Sequence, residues 1–368
     1  MNEQVKVGII GVGQIGKRHV ERYGELSGVK ILAVADVNEV EAARVAQANA
    51  IPHAFADFRD LLALDEIHAV DVCLHNNLHA PVSIAAMEAG KHVFCEKPIA
   101  GSYVDALNMV EAARRLDRQL GVQIRDLFSM PVKAAKRLID AGYLGKIYYA
   151  RSVGLRRRGR PYVDGYGTFN FVRKEVAGGG AILDMGVYHI ATVLYLMGTT
   201  DVRTVSGVTY QELAMYPDRR EISGYNVEEM GLGLVRLDKD MTLDIEESWA
   251  IHYEESESSK ILGSKGGLKL DPLTYFTTIA DLEMSGTFDL GRADFRWHSC
   301  DETFDAYDSP EAHWIAGLQG RVEMIDTAGL ALATSLISEG IYLSNQLGRE
   351  VTAEEVGEHS VSTATSRL

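Results

Sequence analysis

The feature that most constrains this chain is Gly11-Val12-Gly13-Gln14-Ile15-Gly16, set directly after the apolar run Val5–Ile10. A glycine turn between a strand and a helix opens a βαβ unit, and the exposed amides of that helix suit a phosphate. Gly11 permits the tight turn, Gly13 lets a pyrophosphate approach the backbone, and Gly16 lets the helix pack closely on the sheet. Gln14 and Ile15 complete the phosphate-facing turn. Strand-like runs at 30–35, 69–74, 91–95 and 120–124 then alternate with helical segments at 16–23, 39–49, 79–89 and 104–116. This alternation predicts a doubly wound parallel sheet with right-handed crossovers, a Rossmann domain over residues 1–124.

Asp36 ends the second strand, about twenty residues past the turn, where a carboxylate accepts hydrogen bonds from ribose hydroxyls. Val37 and Asn38 add no positive charge for a 2'-phosphate. NAD is therefore preferred to NADP, with Lys17 or Arg18 the nearby cations that could change that preference. The alternative is a glycine turn and an exposed aspartate that bind nothing.

Beyond residue 124 the texture changes. A helix is expected over 130–141 and a strand over 146–154. A basic, glycine-rich loop spans 156–180, and one continuous helix spans 181–197. The β-rich stretches at 202–210, 231–237, 241–250, 259–262 and 268–270 predict a large, mostly antiparallel open sheet. A long apolar helix over 322–347 precedes a polar tail from Gly348. Residues 125–368 thus form a second, α/β domain.

Glu96-Lys97-Pro98 follows the apolar run 91–95, and ligands of open α/β sheets bind beyond the carboxyl ends of the strands. A lysine beside a nicotinamide ring, cationic when oxidised, is expected to have a depressed pKa and to assist proton transfer. A lone solvated lysine is the plain alternative. The second domain supplies Gly178-Gly179-Gly180, then Asp184, Tyr188 and His189. On a continuous helix Asp184 and Tyr188 share one face, with His189 about 100° further round. These groups offer the donors and acceptors that a polyol needs. A core tyrosine with a structural histidine is the alternative.

The formal net charge of -15 argues against nucleic acid and anionic membranes as partners. No metal site is expected. Three cysteines with no C-x-x-C pair fit a reduced, cytoplasmic setting, with Cys73 and Cys95 buried and inert. The segment from Met1 to Lys6 is too short and polar for a signal peptide, and no apolar stretch is long enough to span a bilayer.

Taken together, the GxGxxG turn, Ala89-Gly90-Lys91-His92-Val93-Phe94-Cys95-Glu96-Lys97-Pro98, and the triple glycine leading to Asp184-Met185-Gly186 resemble the Gfo/Idh/MocA family over nearly the whole chain. The resemblance implies a carbohydrate or polyol dehydrogenase that forms a dimer or tetramer through its second sheet. The family's lysine falls on Lys97 and its substrate-orienting aspartate on Asp184. Its usual histidine position holds Tyr188, with His189 one residue on, so either is the proton-transfer group. Asn76 and His79 match the family's Pro-Asn-x-x-His turn beside the nicotinamide ribose, and His75 replaces its proline. The run Arg156–Pro161 resembles a basic loop near the active site of sugar-acting relatives, which makes Arg157 a substrate-binding candidate. Arg125 sits near the expected junction of the domains, by cofactor or substrate. An NAD-dependent glycosidase that uses transient oxidation and elimination, and a non-catalytic dinucleotide sensor, are the competing functions.

Overall fold

The computed structural model describes residues 4–254 and 258–365. Met1–Glu3, the start of the short polar N-terminal segment, and the last three residues of the polar tail lie outside the described residues. The first sheet contains β1 (Val5–Ile10), β2 (Val29–Ala35), β3 (His53–Phe55), β4 (Ala69–Val72), β5 (His92–Cys95) and β6 (Leu120–Val122), ordered β3-β2-β1-β4-β5-β6. Every pairing is parallel. Its central strands are buried on both faces, so they read as continuous apolar runs. The strand order reverses between β1 and β4, and the crevice for a ligand opens there.

The second sheet contains β7 (Ile147–Leu155), β8 (Val202–Tyr210), β9 (Met230–Leu237), β10 (Thr242–Ser248), β11 (Lys260–Gly263), β12 (Gly267–Leu270), β13 (Leu273–Ile279), β14 (Leu282–Thr287) and β15 (Val351–Thr352). The order is β14-β13-β12-β11-β7-β10-β9-β8-β15. All neighbours are antiparallel except β7 and β10, which run parallel with Leu155 opposite Ser248. That one parallel pair brings two strand ends to the same edge, and the residues that follow both strands reach the site described below.

Several expectations need correction. The helix expected over 181–197 is two helices, Ala181–Asp184 and Gly186–Met197, broken at Met185. The segments on either side of that break are bent by 48°. The loop after β7 contains two short helical turns, Phe169–Val172 and Lys174–Ala177. The tail from Gly348 contains β15 and the helix Ala353–His359, started by a Thr352–Glu355 capping box. The long helix starts at Thr327, not at 322. Among the described residues, no single helix is long and apolar enough to cross a membrane.

Helix Thr327–Leu347 touches both sheets. Thr327 Oγ1 accepts from the Val122 amide of β6 at 2.9 Å, and Ser344 Oγ accepts from the Gly207 amide of β8 at 2.9 Å. A single apolar cluster runs from Val70 and Val72 in the first sheet to Val235 and Ile245 in the second.

Candidate active site

The glycine turn has the geometry a pyrophosphate requires. Gly11 has φ +91°, and a Cβ there would lie 2.4 Å from the Cys73 carbonyl oxygen. A Cβ on Gly16 would lie 1.9 Å from the Gly11 carbonyl oxygen, so the helix can sit against its own turn only with glycine. At Gly13 a Cβ would meet no atom within 4 Å, which leaves that side of the turn open to a ligand. Helix Gln14–Glu25 has no side-chain cap and no acidic residue in its first turn. Gln14 and Ile15 are exposed there. Its first amides and its dipole are therefore available to an anion. Asp36 accepts from the Val12 amide at 2.8 Å and the Asn38 amide at 2.9 Å, which fixes its carboxylate beside the turn. Val37 is 97% exposed, and Lys17 is paired with Glu41.

Lys97 follows β5, as the sequence predicts, through a cis Lys97–Pro98 bond. Its Nζ donates to Asp184 Oδ1 at 2.7 Å and to the Asp184 carbonyl at 3.1 Å. Burial opposes its charge, but Asp184, then Tyr188 and Glu96, outweigh burial and raise its pKa above the usual lysine value. The expected depression is thus reversed, because the lysine faces a carboxylate. Asp184 Oδ2 accepts from the Trp249 indole at 3.2 Å, so both carboxylate oxygens are held.

The break at Met185 does not separate Asp184 from Tyr188. It turns the second helix so that the Tyr188 ring lies 4.9 Å from Lys97 Nζ and 5.3 Å from the Arg125 guanidinium. Arg125 is itself exposed and paired with Asp126 at 3.2 Å. The Tyr188 hydroxyl makes no hydrogen bond among the described residues. Burial raises its pKa, and Lys97 pulls against that rise. His189 points elsewhere, its Nδ1 2.9 Å from Glu247 Oε2. Burial opposes its charge, while buried Glu247 raises its pKa.

The remaining candidates divide. Asn76 donates to the Ala177 carbonyl at 2.8 Å, which ties the start of its helix to the segment before the triple glycine. His79 is fully buried between the Pro98 carbonyl at 2.8 Å and the Leu74 carbonyl at 3.1 Å. It braces the loop after β5 rather than facing a ligand. His75 lies 3.1 Å from Asn170 Nδ2. In the basic loop Arg157 is exposed, whereas Arg156 is the arginine whose charge acts on His189 and Glu247. Glu96 does not face the crevice. Its Oε2 accepts the Lys97 amide at 2.9 Å, and its Oε1 lies 3.0 Å from His19 Nε2. His19 Nδ1 lies 2.7 Å from Asp71, and Arg22 reaches Glu311 at 2.5 Å. This buried network ties the dinucleotide helix to the backbone of Lys97. His19, Asp71 and Cys73 also lie close enough to share a metal ion, but their mutual hydrogen bonds account for the cluster. The Cys73 residue is half-buried rather than buried, and burial next to Asp71 pushes its thiol pKa up. Cys95 is buried as expected.

Residues 5–124 match the family model described as "Oxidoreductase family, NAD-binding Rossmann fold", and residues 132–269 match the "GFO/IDH/MocA C-terminal domain". The chain belongs to the Gfo/Idh/MocA family. NAD is the cofactor of this oxidoreductase family, and the open glycine turn fits it. Among its relatives, a D-glucoside 3-dehydrogenase of Escherichia coli is 28% identical over 74% of this chain and 79% of its own length. A myo-inositol 2-dehydrogenase of Thermotoga maritima is 29% identical over 53% of this chain and 55% of its own length. A levoglucosan dehydrogenase solved with NADH and levoglucosan superposes with TM-score 0.78 at 22% identity, covering 95% of this chain and 99% of that one.

Within this Gfo/Idh/MocA site, the sequence reading missed Trp249, Glu247, Tyr166 and Glu228. Trp249 and Glu247 come from the end of β10, and the Trp249 carbonyl accepts from the Gly159 amide at 2.7 Å. Glu228 accepts from the Gly180 amide at 2.8 Å and the Ile182 amide at 3.0 Å, where the segment that carries Asp184 begins. A buried-type tryptophan and two acids at strand ends were the available signal. Their relevance depends on the β7–β10 pairing, which local periodicity does not encode.

Proposed function

We propose that this protein is an NAD-dependent dehydrogenase that interconverts a secondary alcohol and a ketone on a carbohydrate or cyclitol. Residues 1–124 hold the dinucleotide, and residues 125–368 hold the substrate and the subunit contacts. The observation that carries this reading is the meeting of Lys97, Asp184 and an unbonded Tyr188 hydroxyl at the carboxyl end of β5, beside the open glycine turn. A dinucleotide held by the Gly11–Gly16 turn and Asp36 would supply the hydride acceptor. Asp184, held by Lys97 and Trp249, orients the substrate hydroxyls. Tyr188, as the phenolate that the Lys97 ammonium stabilises, takes the proton of the reacting hydroxyl and becomes a neutral phenol. The carbinol thus loses one hydride and one proton and becomes a ketone. His189 orients substrate instead, since Glu247 occupies its Nδ1. Asp36 beside the turn favours NAD over NADP.

The sugar, inositol and levoglucosan dehydrogenases among the relatives support the substrate class. The outward face of the second sheet carries Tyr148, Val208, Tyr210, Leu234 and Phe276, each exposed by more than a third. That apolar surface supports a homodimer or homotetramer, which light scattering tests. Cys73, Cys95 and Cys300 are all free, in keeping with the cytoplasm.

The decisive experiment follows NADH absorbance over a panel of sugars, inositols and glycosides. Lys97→Ala is expected to lose most turnover while retaining NAD binding. Full activity of that variant would sink the mechanism. Release of free aglycone without net NADH would favour the glycosidase instead.

A further inference from the structure

The positive groups around Lys97 are not equally provided with partners. Lys97 is paired with Asp184, Arg125 with Asp126, and His189 with Glu247. Arg158 lies 3.7 Å from Asp164, and buried Arg160 is held by Asp164 and Glu229. Arg156 has no carboxylate within ion-pair distance among the described residues. Its NH1 donates to the Tyr166 hydroxyl at 2.9 Å, and that hydroxyl donates in turn to the Gly159 carbonyl.

This guanidinium is exposed yet placed. Arg156 follows β7 directly, and its amide donates to the Ser248 carbonyl at the end of β10 at 2.9 Å. The Gly159 amide is bonded to Trp249, the residue that also holds Asp184. Tyr166 stands between the two halves of the site. Burial raises its pKa to about 12, Arg156 and Lys97 work against that rise, and Asp184 adds to it. The Arg156 charge therefore lies on the substrate side, bolted to the same strand ends that position Asp184. The chain as a whole carries a formal charge of -15, and an anionic ligand needs a local cation to overcome that field.

We propose that the substrate carries a carboxylate, a sugar acid rather than a neutral sugar, and that Arg156 binds it. This rests on the dehydrogenase reading above. The planar guanidinium, with Tyr166 on one NH, keeps donors free for two carboxylate oxygens. Tyr166 acts as the positioning residue that aims it.

The test uses matched pairs in which one primary alcohol is replaced by a carboxylate: glucose with glucuronate, galactose with galacturonate, glucitol with gluconate. Each is offered to the NAD-saturated enzyme, and NADH formation is followed. A charged hydrogen-bond pair supports roughly a tenfold or greater preference in kcat/KM for the acid in at least one pair. In Arg156→Gln the acid-to-neutral ratio is expected to collapse by about that factor, chiefly through KM. Arg156→Lys should keep part of it. Preference for the neutral compound in every pair overturns the proposal, as does an unchanged ratio in Arg156→Gln. Oxidation of neutral sugars alone overturns only this proposal. Inertness of every compound overturns this proposal and counts against the dehydrogenase reading as well.

Discussion

At the scale of single residues, the site turns on which group handles the proton. Tyr188 and His189 are neighbours in sequence but diverge in space, one over Lys97 and the other against Glu247. Tyr188→Phe removes only the hydroxyl and keeps the ring packed against Lys97. It is expected to lower kcat by about 100-fold or more, the usual contribution of a positioned acid or base, with little change in KM. His189→Asn should act mainly on KM. Steady-state kinetics on the best substrate separates the two, and the reverse pattern would reassign the roles. Asp36→Ala should cut kcat/KM with NAD by roughly tenfold and raise it with NADP, as lost ribose bonds and relieved repulsion require. Lys97, Asp184 and Asp36 were legible because each sits beside a motif at a strand or helix end. Trp249, Glu247 and Tyr166 were not, because their place in the site comes from pairing between distant segments. The reversed pKa direction of Lys97 has the same origin: its carboxylate partner comes from the other sheet's side of the chain.

At the scale of elements, two long strands kept the bounds of the sequence pattern, and the edge strands β3 and β14 had little pattern to read. The bounds of β1 and β8 are those the pattern predicts. β3 has three residues and no buried one, and β14 is largely exposed, so neither shows an alternation that a core would impose. The break at Met185 has no signal in a run that reads as helical on both sides of it, and Glu228 holds the start of the short helix before it. Its carboxylate caps Gly180 and Ile182 and receives the Tyr342 hydroxyl at 2.9 Å. Burial raises its pKa to about 7 even against these bonds. An acid whose folded pKa exceeds its unfolded value keeps its proton longer when folded. Folding stability therefore falls as pH rises from the unfolded value, 4.5, through about 7. Glu228→Gln cannot titrate, so its Tm should gain on the wild type as pH is raised from about 5 to 8. Parallel Tm curves for the two proteins would show that Glu228 is not the group responsible.

At the scale of the molecule, the site depends on two sheets held in one register, since Lys97 comes from one side and Asp184, Tyr188 and Trp249 from the other. The Rossmann order of the first sheet was legible, because alternation and handedness leave few choices. The seam was not legible, because it depends on which face of helix Thr327–Leu347 meets which sheet. That helix bonds to β6 through Thr327 and to β8 through Ser344, and its Ile337 and Ile341 are fully buried in the shared apolar cluster. Ser362, Thr363 and Ala364 add a second tie, all bonded to the Asp105 carboxylate near the start of helix Tyr103–Arg115. With the core continuous across the seam, the two halves should unfold together. Calorimetry is expected to show one transition, and Ile337→Ala should lower its midpoint without splitting it. The cost of such a truncation is about 2–5 kcal/mol. Two separated transitions in the wild type, or a variant that melts only the second sheet, would mean that the halves are independent. The alignment of Lys97 with Asp184 would then have to come from the bound dinucleotide and substrate rather than from the fold.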